Sequence, residues 1–448
     1  MKILKSKILQ FAVALLALSA CDNKLDQVKP TQSIDESTAL STSQDIEVTL
    51  IGAYDGLSSS NSYGGAIQYS GDLIGDDQEV RFAGTFSTMD EIWRKTFTTS
   101  NTQTQATWLQ SYSTINRVNN ILANLDKVEA SRKSAVEGES KFIRAISYFD
   151  LVRLWAKDYT DGSAASNLGV PLVTTPTRGV TDIDNRPRAT VEAVYNLVLE
   201  DLKSAESLLE AGFSPGFATK GAVQALMARV YLQQGKYAEA RDAANKVINS
   251  GEYQLTSTFE EAFSDDTNDD EAIFKIIVTD QDGSNSMNTF YAPSTYQGRG
   301  DVRVQNKHLA VYEADDSRGS FFVKASNNTF TGKFLDRFGD VLVIRLAEMY
   351  LIRAECNQRL NTAIGAAPLV DINKIRSRAG ASTLSAVTLD DIIKERKLEL
   401  AFEGQQVFDA KRLKKSIGSL AFNSPKLVIP IPQREMDTNK SLVQNDGY

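Results

Sequence analysis

Three segments, far apart in the chain, repeat one small frame. Ala145-x-x-Tyr148, Ala228-x-x-Tyr231 and Ala347-x-x-Tyr350 are each followed by an apolar residue. Residues three or four apart share one face of a helix. An alanine on that face lets a second helix approach closely, and the tyrosine fills the space beside it. Apolar residues at three-and-four spacing surround these frames. Ile46, Leu50, Ala53, Tyr54 and Leu57 form one stripe in Asp45 to Leu57, and Trp108, Tyr112, Ile115, Val118, Ile121, Leu122 and Leu125 form another in Thr107 to Leu125. The same reading predicts helices over Arg132 to Trp155, Val191 to Ala211, Lys236 to Asn249, Arg345 to Leu360, Ala366 to Arg378 and Leu389 to Phe402, and one from the N-cap Thr219 to about Gln234. Thr190 and Thr388 are further N-caps, the latter with Asp391 three positions on, and Gly235, Gly251 and Gly380 suit helix ends.

One copy of the frame continues further. Gly235, Tyr237 and Ala240 fall seven, nine and twelve residues after Ala228, which resembles the spacing of a tetratricopeptide helix pair. The three copies stand 83 and 119 residues apart, so the pairs are separated by other material. The fold class expected is mainly α: a tetratricopeptide-like scaffold with a large irregular, short-strand region for binding. Two stretches lack helical rhythm and are read as loop insertions, about 58–100 and about 254–340, the second holding a strand-like run at Ala272 to Thr279. Long irregular stretches in a compact protein are commonly functional.

The N-terminus sets an expected location. Lys2, Lys5 and Lys7 precede an apolar run from Ile8 to Ala20, too short to span a bilayer, which needs about 20 residues. Residues 1–20 are read as an export signal. Leu18-Ser19-Ala20-Cys21 resembles a bacterial lipobox, which implies acylation of Cys21 and an anchor of several acyl chains. Residues 21–37 are polar and read as a flexible tether, leaving 38–448 as a single domain. The chain has 49 Lys and Arg against 57 Asp and Glu, a net charge of −8; without Lys2, Lys5 and Lys7 it becomes −11. Nucleic acid, which needs a basic face, is excluded as a partner. Cys356, the other cysteine, falls in an apolar helical pattern and is read as a small buried hydrophobe.

A block near the C-terminus names a family. Glu395-Arg396-Lys397-Leu398-Glu399-Leu400-Ala401-Phe402-Glu403-Gly404, with Phe408-Asp409-Ala410-Lys411-Arg412, resembles a signature of the SusD/RagB family of nutrient-binding outer-membrane lipoproteins. Gly138 to Trp155, Gly169 to Leu172, Arg345 to Glu355, Ile372 to Gly380 and the Pro430-Ile431-Pro432 … Gly447-Tyr448 ending are similar to further family segments. Gln406, Val407 and Ala410 depart from the pattern, which puts local packing in doubt rather than the fold. The resemblance implies a glycan- or peptide-binding protein without catalysis or cofactor, held on the cell surface by an outer-membrane lipid anchor, and a TonB-dependent, SusC-like transporter as its partner.

The candidate chemistry agrees with binding. Glu395, Glu399 and Glu403 lie four apart, yet Arg396, Lys397, Lys411 and Arg412 are their neighbours in sequence, so an ion network is expected rather than a glycosidase pair. His308 is the one histidine and is expected to have no catalytic role. The acidic runs Asp265-Asp266-x-x-Asp269-Asp270-Glu271 and Asp280-x-Asp282 match no calcium-loop spacing, and no metal site is expected. In the family the ligand site is built from loops outside the helical repeats, which here are the two irregular stretches. They supply Tyr63, Tyr69, Asp76, Arg81, Phe82 and Trp93 from the first, and Tyr291, Tyr296 and Arg299 from the second, as expected ligand-binding residues. Asp77, Phe86, Phe290, Gln297 and Arg303 stand beside them. Trp108 and Trp155 lie on helix stripes and are expected in the core.

Overall fold

The computed structural model describes residues 40–448 apart from 178, 180–184, 265–269 and 282. The export signal, Cys21, the tether and the acidic positions Asp265, Asp266, Asp269 and Asp282 lie outside the described residues. The chain opens with helices α1 (Ser43–Ser58) and α2 (Ala66–Gly75), strand β1 (Val80–Phe82), then α3 (Ser87–Arg94), α4 (Thr102–Leu122), α5 (Ala130–Trp155), α6 (Val191–Leu208), α7 (Lys220–Gln233) and α8 (Tyr237–Ser250). The middle segment holds β2 (Ala272–Ile276), α9 (Ser286–Tyr291), β3 (Val302–Val304), α10 (Asn306–Leu309), β4 (Phe322–Ala325), β5 (Asn328–Thr331) and β6 (Val341–Arg345). Helices α11 (Leu346–Leu360), α12 (Pro368–Arg378), α13 (Leu389–Glu399), α14 (Gln406–Arg412) and α15 (Gln433–Thr438) follow. The expected mainly-α scaffold is present.

The helices pack as neighbours: α4 on α5, α5 on α6, α7 on α8, α8 on α11 and α11 on α12. The small-residue frames sit where these helices meet. Ala145, Ala228 and Ala347 are fully enclosed, and Tyr148, Tyr231 and Tyr350 are buried beside them. Local chemistry fixes the helix starts. Thr42 and Thr388 form capping boxes with Asp45 and Asp391, and Thr190 and Thr219 accept from Ala193 N and Ala222 N. Gly235, Gly251 and Gly380 take left-handed φ values of 70°, 74° and 68° at helix ends, where a side chain would cost energy. Trp108 and Trp155 meet edge to face at 5.4 Å inside the core, and Cys356 is buried and unpaired.

Arginine–carboxylate forks fasten the pairs. Arg144 holds Asp201 through two bonds of 2.8 Å between α5 and α6. Arg353 holds Asp371 at 2.9 and 2.6 Å between α11 and α12, and Arg412 holds Glu355 at 2.6 and 2.9 Å between α14 and α11. Bidentate pairs fix orientation as well as adding energy.

The signature block is the largest of these networks. Glu399 is fully buried and faces Arg345, Arg318 and Arg378. Arg345 also reaches Glu271 and Glu403, each at 2.9 Å, and Lys333 reaches Glu403 at 2.6 Å. Burial alone would raise the Glu399 carboxyl, but Arg378, Arg345 and Arg318 outweigh it and hold it well below the usual range. The helix expected to run to Phe402 stops at Glu399, because the Glu399 carbonyl accepts from Arg345 Nη2 at 2.6 Å and Lys333 Nζ at 2.9 Å. The chain then turns sharply, with Phe402 at φ 67° and Gly404 at φ 76°. That turn lies against α2. A Cβ on Gly71 would stand 2.0 Å from the Gly404 carbonyl oxygen, so only glycine permits the contact. Asp72 accepts from Gly404 N at 2.9 Å and from the Tyr291 hydroxyl at 3.0 Å.

The two stretches read as loop insertions carry more order than expected. The first contains α2, α3 and β1; α2 was missed because every residue in it is buried, which erases the amphipathic pattern. The second contributes β3, β5 and β4 to a four-stranded antiparallel sheet ordered β1-β3-β5-β4, while β2 pairs with β6.

Two outcomes test this packing. Glu399→Gln leaves three buried guanidinium groups short of one charge and is expected to lower the unfolding free energy by about 3–5 kcal/mol, read from denaturant titration. Asp72 has its carboxyl raised by burial from 3.8 to about 7. Between those values the folded chain binds the extra proton, so this group's contribution falls as pH rises from about 4 through about 7. Asp72→Asn is expected to flatten that part of the stability–pH profile.

Candidate functional site

The four-stranded sheet, α3 and the turn after α2 enclose an open cleft of about 620 Å³. Its floor and walls include Gln78, Arg81, Trp93, Lys307, Asn327 and Asn328. Each side chain has a local cause. The pattern along β1 is buried-exposed-buried, so Val80 and Phe82 enter the core and Arg81 points out. Ser326 and Asn327, at φ 48° and 61°, form the two-residue turn that joins β4 to β5. This is the left-handed geometry that suits a tight hairpin and favours asparagine, and it brings both asparagines to the rim.

Trp93, half-buried at the last turn of α3, is oriented by Asp76. Its indole Nε1 donates to Asp76 Oδ2 at 2.9 Å. The other carboxylate oxygen accepts from Glu79 N at 2.8 Å and Val80 N at 2.9 Å, and Lys95 Nζ donates to the Asp76 carbonyl at 2.7 Å. Arg94 lies over the indole at 5.0 Å. A carboxylate with three internal donors positions the ring and is committed to it. Asp77 pairs with Lys307 at 2.8 Å on the same rim.

A second exposed group sits at the other end of α3. Phe86, 47% exposed, precedes the helix seven positions before Trp93, which is about two turns or 10 Å along the axis. It meets Phe290 edge to face at 5.8 Å, and the Arg299 guanidinium stacks over it at 4.7 Å. Arg299 is held by Asp301 at 2.9 Å and Thr85 at 3.0 Å. Tyr296, 41% exposed, follows Phe290 in chain order, and Gln297 accepts from Arg337 at 3.2 Å.

The expected ligand-binding residues therefore divide. Asp76, Arg81 and Trp93 come together in the cleft, and Tyr296 and Arg299 lie in the exposed middle segment. Tyr63, Tyr69, Phe82 and Tyr291 do not reach the surface. All four are buried, Tyr69 on the enclosed α2 and Tyr291 with its hydroxyl tied to Asp72. They shape the core beneath the site. The amides Gln78, Asn327 and Asn328 were not anticipated; the run Ser326-Asn327-Asn328 between two short alternating segments is the turn signal that could have shown them.

The carboxylates weighed for catalysis are enclosed in ion pairs, Glu395 with Arg318 and Arg376. His308 is buried between Glu79 and Tyr312, at 3.0 Å from each. Among the described residues no cluster of His, Cys, Asp or Glu is arranged to hold a metal ion, and no helix is long and apolar enough to cross a membrane. What the cleft offers chemically is one aromatic face, neutral amides and guanidinium, the groups that grip hydroxyl-rich or charged ligands.

Two family models match the chain between them: one described as starch-binding associating with outer membrane, over residues 25–232, and the SusD family over residues 211–421. The chain belongs to the SusD/RagB family. The SusD-like protein P2 of Formosa agariphila is 24% identical over 518 residues, which covers 98% of this chain and 99% of that relative. Among solved structures, a SusD superfamily protein from Bacteroides vulgatus has a TM-score of 0.82 at 26% identity, covering 91% of this chain and 99% of its own. One from Bacteroides thetaiotaomicron has a TM-score of 0.81 at 26% identity, with 90% and 99% covered. SusD-like proteins are glycan-binding proteins associated with the outer membrane.

Trp108 and Trp155 are enclosed, so acrylamide quenching of tryptophan emission is expected to arise from Trp93. Trp93→Phe should abolish it, and Asp76→Ala should increase it and shift the emission to the red.

Proposed function

We propose that this protein is a surface lipoprotein, anchored through Cys21, that captures a glycan at the Trp93 cleft and delivers it to a TonB-dependent outer-membrane transporter. The observation that carries the reading is a tryptophan locked by Asp76 beside side-chain amides in a solvent-open cleft, within a family described as starch-binding. An indole face packs on the apolar face of a sugar ring, and amides exchange hydrogen bonds with its hydroxyls. On this reading the ligand is bound and released unchanged. Residues 22–37, polar with one proline and no apolar cluster, are proposed as the tether between lipid and fold.

The soluble chain starting at residue 22 is expected to bind a subset of a glycan array and no peptide on a matched peptide array. Trp93→Ala should weaken the selected glycan by about tenfold or more in calorimetry. Unchanged affinity in Trp93→Ala, or selection of peptides instead, would overturn the assignment. In cells, Cys21→Ala should release the protein from the membrane fraction and remove incorporation of a labelled fatty acid.

A further inference from the structure

We infer that the cleft takes a glycan bearing anionic groups, carboxylate or sulfate, and that Arg81 and Arg303 form the subsite that reads the charge. This rests on the glycan reading above and names the ligand class for the same cleft.

The register of the sheet carries the inference. β1 and β3 are antiparallel with Arg81 directly opposite Arg303. Directly opposed residues share one face of the sheet with Cβ atoms about 5 Å apart, and like charges in that position are destabilising. The arginines of the forks on Asp201, Asp371 and Glu355 and of the Glu399 network meet carboxylates, and this opposed pair does not. The Arg81 guanidinium makes no hydrogen bond or ion pair among the described residues. Half-buried Arg303 donates only to neutral oxygens, the Gly300 carbonyl at 3.4 Å and Asn328 Oδ1 at 3.3 Å.

The nearby carboxylates are already committed. Asp76 holds Trp93, Asp77 holds Lys307, Glu79 lies between His308 and Lys397, and Asp301 holds Arg299. The two guanidinium groups thus form a positive spot, without an internal counterion, on a chain of net charge −8. Arg81 lines the cleft together with Trp93 and Asn328, so the charge is offered to whatever rests on the indole. A planar fork matches a carboxylate or sulfate ester better than it matches a hydroxyl. The tryptophan and the amides favour an anionic sugar over an acidic peptide.

The test uses the soluble chain from residue 22 in calorimetry with an oligogalacturonate and its carboxyl-reduced form, a sulfated galactan oligosaccharide and its desulfated form, and a poly-glutamate peptide. At least one anionic glycan is expected to bind about tenfold or more tighter than its neutral form, and the gap should narrow as salt is raised. The two pairs tell carboxylate from sulfate. The double variant Arg81→Gln with Arg303→Gln should shrink the gap to below about threefold. Arg132→Gln, which removes one charge from the surface Arg132–Glu47 pair between α5 and α1, should leave it intact. Arg81→Gln alone breaks no internal contact and keeps the test open should the double variant unfold. Equal binding of charged and neutral forms, persistence of the gap in the Arg81 variants, or binding of the peptide alone would overturn the inference. Binding of no glycan at all defeats the glycan reading with it, whereas equal binding defeats this inference alone.

Discussion

The buried charge network around Glu399 is the constraint on which the rest of the structure leans. It joins elements far apart in the sequence: the end of α13, the end of α12 through Arg378, the β6–α11 junction through Arg345, and the middle segment through Arg318 and Lys333. Removing so many charges from water is costly, and a well-packed apolar substitute could match its stability. What apolar packing would not supply is direction. Each guanidinium fork accepts few geometries, so satisfying Arg345, Arg318 and Arg378 together fixes where the chain turns after Glu399. The network draws two donors onto the Glu399 carbonyl, and the helix ends there.

That ending reaches the cleft through a short series of contacts. The turn at Phe402 to Gly404 sets Gly404 against Gly71, and Asp72 ties both Gly404 and Tyr291 to α2. Helix α2 ends at Gly75, and the next residue, Asp76, fixes the start of β1 through two backbone amides and the indole of Trp93 through its other oxygen. The cleft is therefore built from short elements held by a rigid helical body, the arrangement in which a binding surface can vary while its support stays constant.

How much of this was legible in the sequence follows from distance along the chain. Helices with one wet face announced themselves by period, and their threonine caps and glycine ends are encoded within four residues, so Thr190, Thr219, Thr388, Gly235 and Gly251 were readable, while Thr42, which obeys the same local rule, was not picked out. Helix α2 was not, because it is buried on all sides, against α3 and α4 and against the turn and α14 more than 300 residues further on. The same blindness misplaced Tyr63, Tyr69, Phe82 and Tyr291. An aromatic residue in a Gly- and Ser-rich stretch looks available for stacking, yet whether it faces outward depends on which distant backbone covers it. Trp93 and Arg81 escaped that error for different reasons, Trp93 because Asp76 pulls its polar edge toward the rim, and Arg81 because it alternates with two core residues on a short strand.

The contrast between two kinds of arginine then gives the cleft its meaning. In the helical body, a guanidinium is placed opposite a carboxylate from another helix, and the pair defines a contact. On β1 and β3 the sheet register sets two guanidinium groups opposite each other with only neutral oxygens in reach. The chain has carboxylates enough, 57 acidic residues against 49 basic ones, to have placed one here. Leaving the position without a partner costs folding stability and leaves the compensating charge to come from outside. On the proposed glycan reading, the groups beside it, an indole held edge-on by Asp76 and the amides of the β4–β5 turn, are those that would meet the uncharged remainder of a sugar, so the missing partner is best supplied by the same molecule.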